Sequence, residues 1–162
     1  MKNIVGCTRD KIMKKKNNRE KKGLVLHVSY DDYIIGSNIK SYLNRKHWKM
    51  HTTTLGEEED SYSFEDDAVS AWCDTDGIIH VIICNKTCIY NGVELIGMKF
   101  SDFIDIIQEQ PYYHDIIYLE GKVRGQNQHV YEFDKCGLQV WTWRNRIRTI
   151  ILGDESEDDT EE

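Results

Sequence analysis

From Ile78 to Ile151 the chain runs as short apolar segments separated by Asp76-Gly77, Asn91-Gly92 and Lys135-Cys136-Gly137. Asn-Gly and Asp-Gly between apolar runs signal hairpins, because type I′ turns need positive φ at their central residues. Ala68–Asp74 and Ile78–Cys84 flank one such turn, and Lys86–Tyr90 and Val93–Ile96 flank a second. Phe100, Phe103, Ile104 and Ile107 then recur at i, i+3, i+4, i+7, predicting a helix with one apolar stripe. Lys99 or Ser101 marks its start, and Pro111 forbids its continuation. Strands are predicted over His114–Leu119, His129–Asp134, Leu138–Arg144 and Ile147–Leu152. Upstream, Leu24–Tyr30 alternates like a strand, and Ser37 is placed to cap a helix reaching Lys46. Tyr62 and Phe64 mark a short strand within the acid-rich stretch 56–67.

The alternation separates the faces of the sheet. In Leu138–Trp143, Leu138, Val140 and Thr142 share one face, while Gln139, Trp141 and Trp143 share the other. Ile78–Cys84 and Ile116–Leu119 are apolar on both faces, yet only two helices are available to cover such surfaces. Either the sheet curls on itself or one face remains an aromatic groove for a partner. A fully exposed Trp leaves well over ~100 Å² of apolar surface wet, at ~25 cal/mol per Å². A stable monomer rarely tolerates several together.

A chain of 162 residues, 40% apolar and 30% charged, builds a core without staples. Cys7, Cys73, Cys84, Cys88 and Cys136 form an odd set without scaffold-like spacing, which suits a reducing compartment. Ile4-Val5-Gly6-Cys7 resembles a lipoprotein cleavage box but lacks the preceding apolar run of roughly 7–15 residues. No segment reaches the roughly 18 apolar residues of a membrane span. The expected location is the cytoplasm. The net charge of −7 is segregated: residues 2–22 hold nine bases against Asp10 and Glu20, and residues 153–162 hold seven acids and no base. We therefore expect a disordered basic leader over 1–22, one domain over 23–152 and a disordered acidic tail over 153–162.

Catalytic and metal motifs are weak. His80, Cys84 and Cys88 are the first metal candidate, but they lie in apolar strand sequence without a second ligand pair, as buried free cysteines do. His47 and His51 share a face only if they lie on a helix, and no zinc-protease Glu accompanies them. Gly121–Gly125 suits a hairpin turn and not a phosphate loop, and no nucleophile elbow is present. No cofactor and no metal are expected. Asp74 and Asp76 sit in a turn, where Asp is favoured for its local hydrogen bonds. The acids Glu57–Glu59, Asp60, Glu65–Asp67, Asp102, Asp105 and Glu109 create a field that repels nucleic acid and attracts a basic protein. Nucleases are natural partners of that kind.

Two segments resemble a known family. The run from Cys88-Ile89-Tyr90-Asn91-Gly92-Val93-Glu94-Leu95-Ile96-Gly97-Met98 to Phe100-Ser101-Asp102-Phe103 is similar to bacterial immunity proteins of contact-dependent growth inhibition and related polymorphic toxin systems. Val130-Tyr131-Glu132-Phe133-Asp134 leading into Gly137-Leu138-Gln139-Val140-Trp141 is similar too. The resemblance spans about residues 68–152. It implies a cytoplasmic protein that binds the C-terminal domain of a cognate toxin, a metal-dependent nuclease in the group it most resembles. It also implies that a toxin hairpin enters a pocket and extends the sheet by β-augmentation.

The expected fold is α+β, a curved antiparallel sheet of hairpins with one or two packed helices. The expected function is stoichiometric (1:1) neutralisation of a toxin, without catalysis, direct nucleic-acid contact or membrane association. Candidate contacts are Tyr118, Tyr131, Trp141 and Trp143 for aromatic packing, and Asp74, Asp76, Glu132 and Asp134 for charge. The rival readings are an interaction module of a phage or mobile element, a small enzyme using His80, His114 or His129 with an Asp, and nucleic-acid binding through the basic leader.

Overall fold

In a computed structural model, residues 22–52, 60–118 and 127–153 are described. The basic leader up to residue 21, the acids Glu57–Glu59, the Gly121–Gly125 turn and the tail from 154 lie outside these residues. A small antiparallel sheet of β1 (Leu24–Val25), β2 (Ser29–Tyr30) and β3 (Tyr33–Ile34) leads to helix α1 (Lys40–Leu43). Next come β4 (Trp48–Thr52), β5 (Asp60–Phe64), β6 (Val69–Cys73) and β7 (Ile79–Cys84). The ribbon of β8 (Ile89–Tyr90) and β9 (Val93–Glu94) precedes helix α2 (Phe100–Ile107). The chain closes with β10 (Tyr113–Ile117), β11 (Gln128–Phe133), β12 (Leu138–Trp143) and β13 (Arg146–Gly153).

Two four-stranded meanders join into one sheet. The order is β10-β11-β12-β13-β7-β6-β5-β4, antiparallel throughout, with β13 paired to β7 at the seam. The sheet is curved and does not close, so the fold is α+β with a dominant antiparallel sheet. Among the described strands its two edges are β10 and β4. No helix among the described residues is long and apolar enough to cross a membrane.

One face carries the core. Val69, Ala71 and Cys73 of β6 alternate inward, as do Leu138 and Val140 of β12, in register with Ile79, Ile82, Ile150 and Leu152. Phe103, the fully buried residue of α2, meets Phe133 edge-on at 5.5 Å between ring centres. Under the other half of the sheet, Tyr33 packs against Phe64 and Tyr42 at 5.2 and 5.4 Å. The described helices and the three-stranded sheet supply core residues to this same face. Burial pushes the Cys73 and Cys136 thiols up to about 12, and Cys84 is raised by its hydrogen bond with Cys88 and by burial.

The turn chemistry explains the register. Asn91 (φ 48°) and Gly92 (φ 80°) form the expected left-handed pair. Arg144 (φ 51°) and Asn145 (φ 62°) make a second such turn without glycine. Left-handed Arg costs about 1–2 kcal/mol. Two contacts hold it: the Arg144 guanidinium lies 4.5 Å above the Trp143 ring, and Phe100 N–H donates to the Asn145 carbonyl at 2.8 Å.

Three expectations change. Leu24–Tyr30 is not one strand but a tight hairpin of β1 and β2, turning at His27 (φ 66°), so its alternation reflects two short arms. Ser37 does not cap α1, which spans only Lys40–Leu43; its hydroxyl bonds the Ile34 carbonyl and the Tyr42 hydroxyl instead, while Asn38 Oδ1 receives Lys40 N–H at 3.0 Å. His51 belongs to β4, where Trp48 and Met50 alternate with Lys49 and His51, so His47 and His51 share no helix face. The predicted Lys86–Tyr90 strand is reduced to Ile89–Tyr90, and Leu119, the predicted end of another, lies outside the described residues; the remaining strands fall within one or two residues of their predicted limits.

Phe103→Ala empties the junction of α2 with the sheet and is expected to cost about 3–5 kcal/mol. Urea denaturation checks this through a lowered midpoint at an unchanged slope.

Candidate binding face

The second face of the sheet has no described helix across it. Strand register arranges its side chains in rows. One row runs Tyr113, Glu132, Gln139, Ile151, Ile83, Ser70, Ser63 from β10 to β5. A neighbouring row places Gly153 opposite Val81 and Val81 opposite Trp72. Curvature turns these rows into a groove of about 890 Å³ whose apolar wall is Trp72, Val81, Ile83, Ile151 and Trp141. All five are half-buried, as mutual shielding across a concave surface produces. Gly153 opens the floor: a Cβ placed there meets nothing within 4 Å.

A polar ladder crosses the groove at its β11 side. Trp141 Nε1–H donates to Gln139 Oε1 at 2.8 Å, and Gln139 Nε2–H donates to Glu132 Oε1 at 3.0 Å. The Tyr112 hydroxyl donates to Glu132 Oε2 at 2.8 Å, and Tyr112 N–H meets the Glu132 carbonyl at 3.0 Å. Both carboxylate oxygens thus accept from neutral donors. Asp134 lines the same end, and among the described residues no Lys, Arg or His lines the groove. The bond to Glu132, with burial and the charges of Glu132 and Asp134 behind it, pushes the Tyr112 phenol up from its ordinary range.

The edge beside this end is also open. Among the described residues β10 has a neighbour on one side only, and Tyr112, Tyr113 and Tyr118 around it are 66%, 48% and 67% exposed. Asp115 lies on β10 between them, its carboxylate accepting Ile116 N–H at 2.8 Å. On the core side of the same strands, His114 Nε2 and His129 Nδ1 are 2.8 Å apart, and His114 stacks on Tyr131 at 4.3 Å between ring centres.

The predicted contact residues divide between these places. Trp141, Glu132 and Asp134 line the groove, and Tyr118 follows the open edge. Trp143 shares the groove face but is covered by Arg144 and Arg148, at 4.5 and 4.8 Å. Tyr131 points to the core side, stacked between His114 and Phe100, the latter at 4.0 Å. Asp74 and Asp76 occupy the β6–β7 turn, where Asp74 Oδ1 accepts the N–H groups of Asp76 and Ile78 at 2.9 Å. At ~4.8 Å per strand they stand roughly 19 Å across the sheet from Asp134. Trp72, Ile83, Tyr112 and Gly153 were not anticipated, although the alternation of Val69–Cys73 already sets Trp72 opposite the buried series.

The metal candidates separate as well. Cys84 and Cys88 are buried at 1% and 0% exposure and face the core. No group of three or more potential metal ligands occurs among the described residues. No family model, curated protein or solved structure matches the chain.

Because the Tyr112 phenol donates to a carboxylate, its proton is held more tightly than in free tyrosine, which titrates near ~10. Glu132→Gln removes that charge and is expected to bring the Tyr112 titration back down. ¹³Cζ-tyrosine NMR across pH 8–12 on the order of one-unit steps checks it, and an unchanged midpoint rules out the Glu132 bond as the cause.

Proposed function

We propose that this chain is an immunity protein: it binds the C-terminal toxin domain of a contact-dependent inhibition system in the cytoplasm and neutralises it by occupancy. The observation that carries the reading is the β10 edge. An unpaired strand offers its backbone to an incoming strand, and exposed tyrosines flank it. Tyr is among the residues that concentrate binding energy at interfaces. Asp115, Glu132 and Asp134 give that margin a negative sign, which suits a toxin with a basic phosphate-binding cleft. The similarity of Cys88–Phe103 and Val130–Trp141 to immunity proteins supports the same reading from the sequence.

The rival interaction module shares this surface but lacks a toxin. The histidine enzyme is less favoured, because His114 and His129 bond each other and stack with Tyr131 on the packed side of the sheet.

Blocking a lethal enzyme at cellular concentrations requires nanomolar binding, about −12 kcal/mol. Co-expression with the product of the adjacent upstream gene is expected to rescue growth and give a 1:1 complex. The double charge reversal Asp115→Lys with Asp134→Lys is expected to weaken that complex at least ~10-fold, or about 1.4 kcal/mol, and to flatten its salt dependence. A neighbour that is not toxic, or a toxin that is neither bound nor neutralised, would sink the proposal.

A further inference from the structure

The groove on the uncovered sheet face has a composition that the β10 edge does not explain. Among the described residues its lining contains two carboxylates, Glu132 and Asp134, and no base. Glu132 is held in place by Gln139 and Tyr112, both neutral donors, so its charge remains uncompensated by either partner. Trp141 is tied toward the same spot through Gln139. A carboxylate at one end of an apolar groove is a receptor for a cation, which gains charge attraction there and apolar contact along the groove.

The rest of the groove is apolar and leads away from that point. From β11 to β6 it crosses four strand intervals, roughly 19 Å at ~4.8 Å each. Along the way lie Ile151, Ile83 and Val81, with Trp72 at the far end. The charges are not spread around the rim; they sit at one end. The volume, about 890 Å³, falls within the ~300–1,000 Å³ of small-molecule sites.

We propose that this groove binds a small amphipathic cation: an elongated aromatic or branched hydrocarbon body carrying a protonated amine or guanidinium. The head sits against Glu132, near the Trp141 indole that Gln139 ties to it, with Asp134 adding field. The body lies over the gap at Gly153 and along Val81 and Ile83 toward Trp72. This site shares Glu132 and Asp134 with the acidic margin of the toxin-binding reading, but it is argued from the groove alone and stands if that reading fails.

The test uses the full chain, ¹⁵N-labelled at indole nitrogen, with the Trp141 Nε1–H resonance assigned through Trp141→Phe. The probes are 2-(1-naphthyl)ethylammonium, 2-(1-naphthyl)ethanol and 3-(1-naphthyl)propanoate, which share a body and differ in charge. The ammonium probe is expected to shift the Trp141 signal saturably and to bind at least ~10-fold tighter than the other two. Glu132→Gln is expected to erase that preference while leaving the alcohol's binding in place, and Asp134→Asn to reduce it in part. Gly153→Phe, whose side chain enters open space, is expected to block all three probes while the far-UV spectrum and melting temperature are retained. The proposal is overturned by equal binding of the three probes, by no saturable shift, or by a preference that survives both carboxylate variants. A Trp141 shift that follows protein dilution without any probe assigns the groove to a second copy of the chain, and overturns it too.

Discussion

The architecture rests on a mismatch between a wide sheet and the short described elements that cover it. Eight strands at ~4.8 Å span roughly 34 Å, whereas the eight-residue α2 is about 12 Å long. One face is sealed by α1, α2 and the short β1–β3 sheet, and that face holds the fully buried residues. The other must shield its own tryptophans and isoleucines. Concave curvature does this without additional chain, since neighbouring side chains converge on a curved floor. Half-burial of Trp72, Val81, Ile83, Trp141 and Ile151 together is the signature of that solution.

Polar groups on such a face are tolerable only when they bond one another. The ladder from Trp141 through Gln139 and Glu132 to Tyr112 meets that condition and also fixes where charge remains. At the opposite end of β12, Arg144 and Arg148 stack on Trp143. The uncovered face is therefore polarised, cationic over Trp143 and anionic at Glu132 and Asp134.

The fold was legible where local chemistry decides structure. Asn91-Gly92 and the i, i+3, i+4, i+7 stripe from Phe100 led directly to β8–β9 and α2, because turn dihedrals and helical periodicity are local constraints. The separation of Gln139, Trp141 and Trp143 from Leu138, Val140 and Thr142 was likewise visible, and it marked the groove face before any strand order was known. What escaped was set by distant partners. Trp48–Thr52 pairs only with Asp60–Phe64 across an acidic stretch, so its alternation was too short to identify as a strand. Tyr131 looked like a surface aromatic because its strand alternates with Val130 and Glu132; only the pairing of Tyr131 with Val140 puts it on the core side. The groove itself depends on β13 meeting β7, a long-range contact that no local pattern encodes.

Glu132 connects the two surfaces. Its carbonyl receives Tyr112 N–H just ahead of β10, its carboxylate receives the Tyr112 hydroxyl, and the same carboxylate anchors the ladder under the groove. A strand laid along β10 acts on Tyr112 from outside, and a cation in the groove acts on it through Glu132. Binding free energies at two sites that share a group are reciprocal: whatever one occupant does to the affinity of the other is returned in equal measure. β10 through β13 form a continuous antiparallel ladder between these points, so Tyr112 and Glu132 are the side chains common to both proposed sites. The edge proposed for a protein and the face proposed for a small cation thus share one acidic residue and the tyrosine bonded to it.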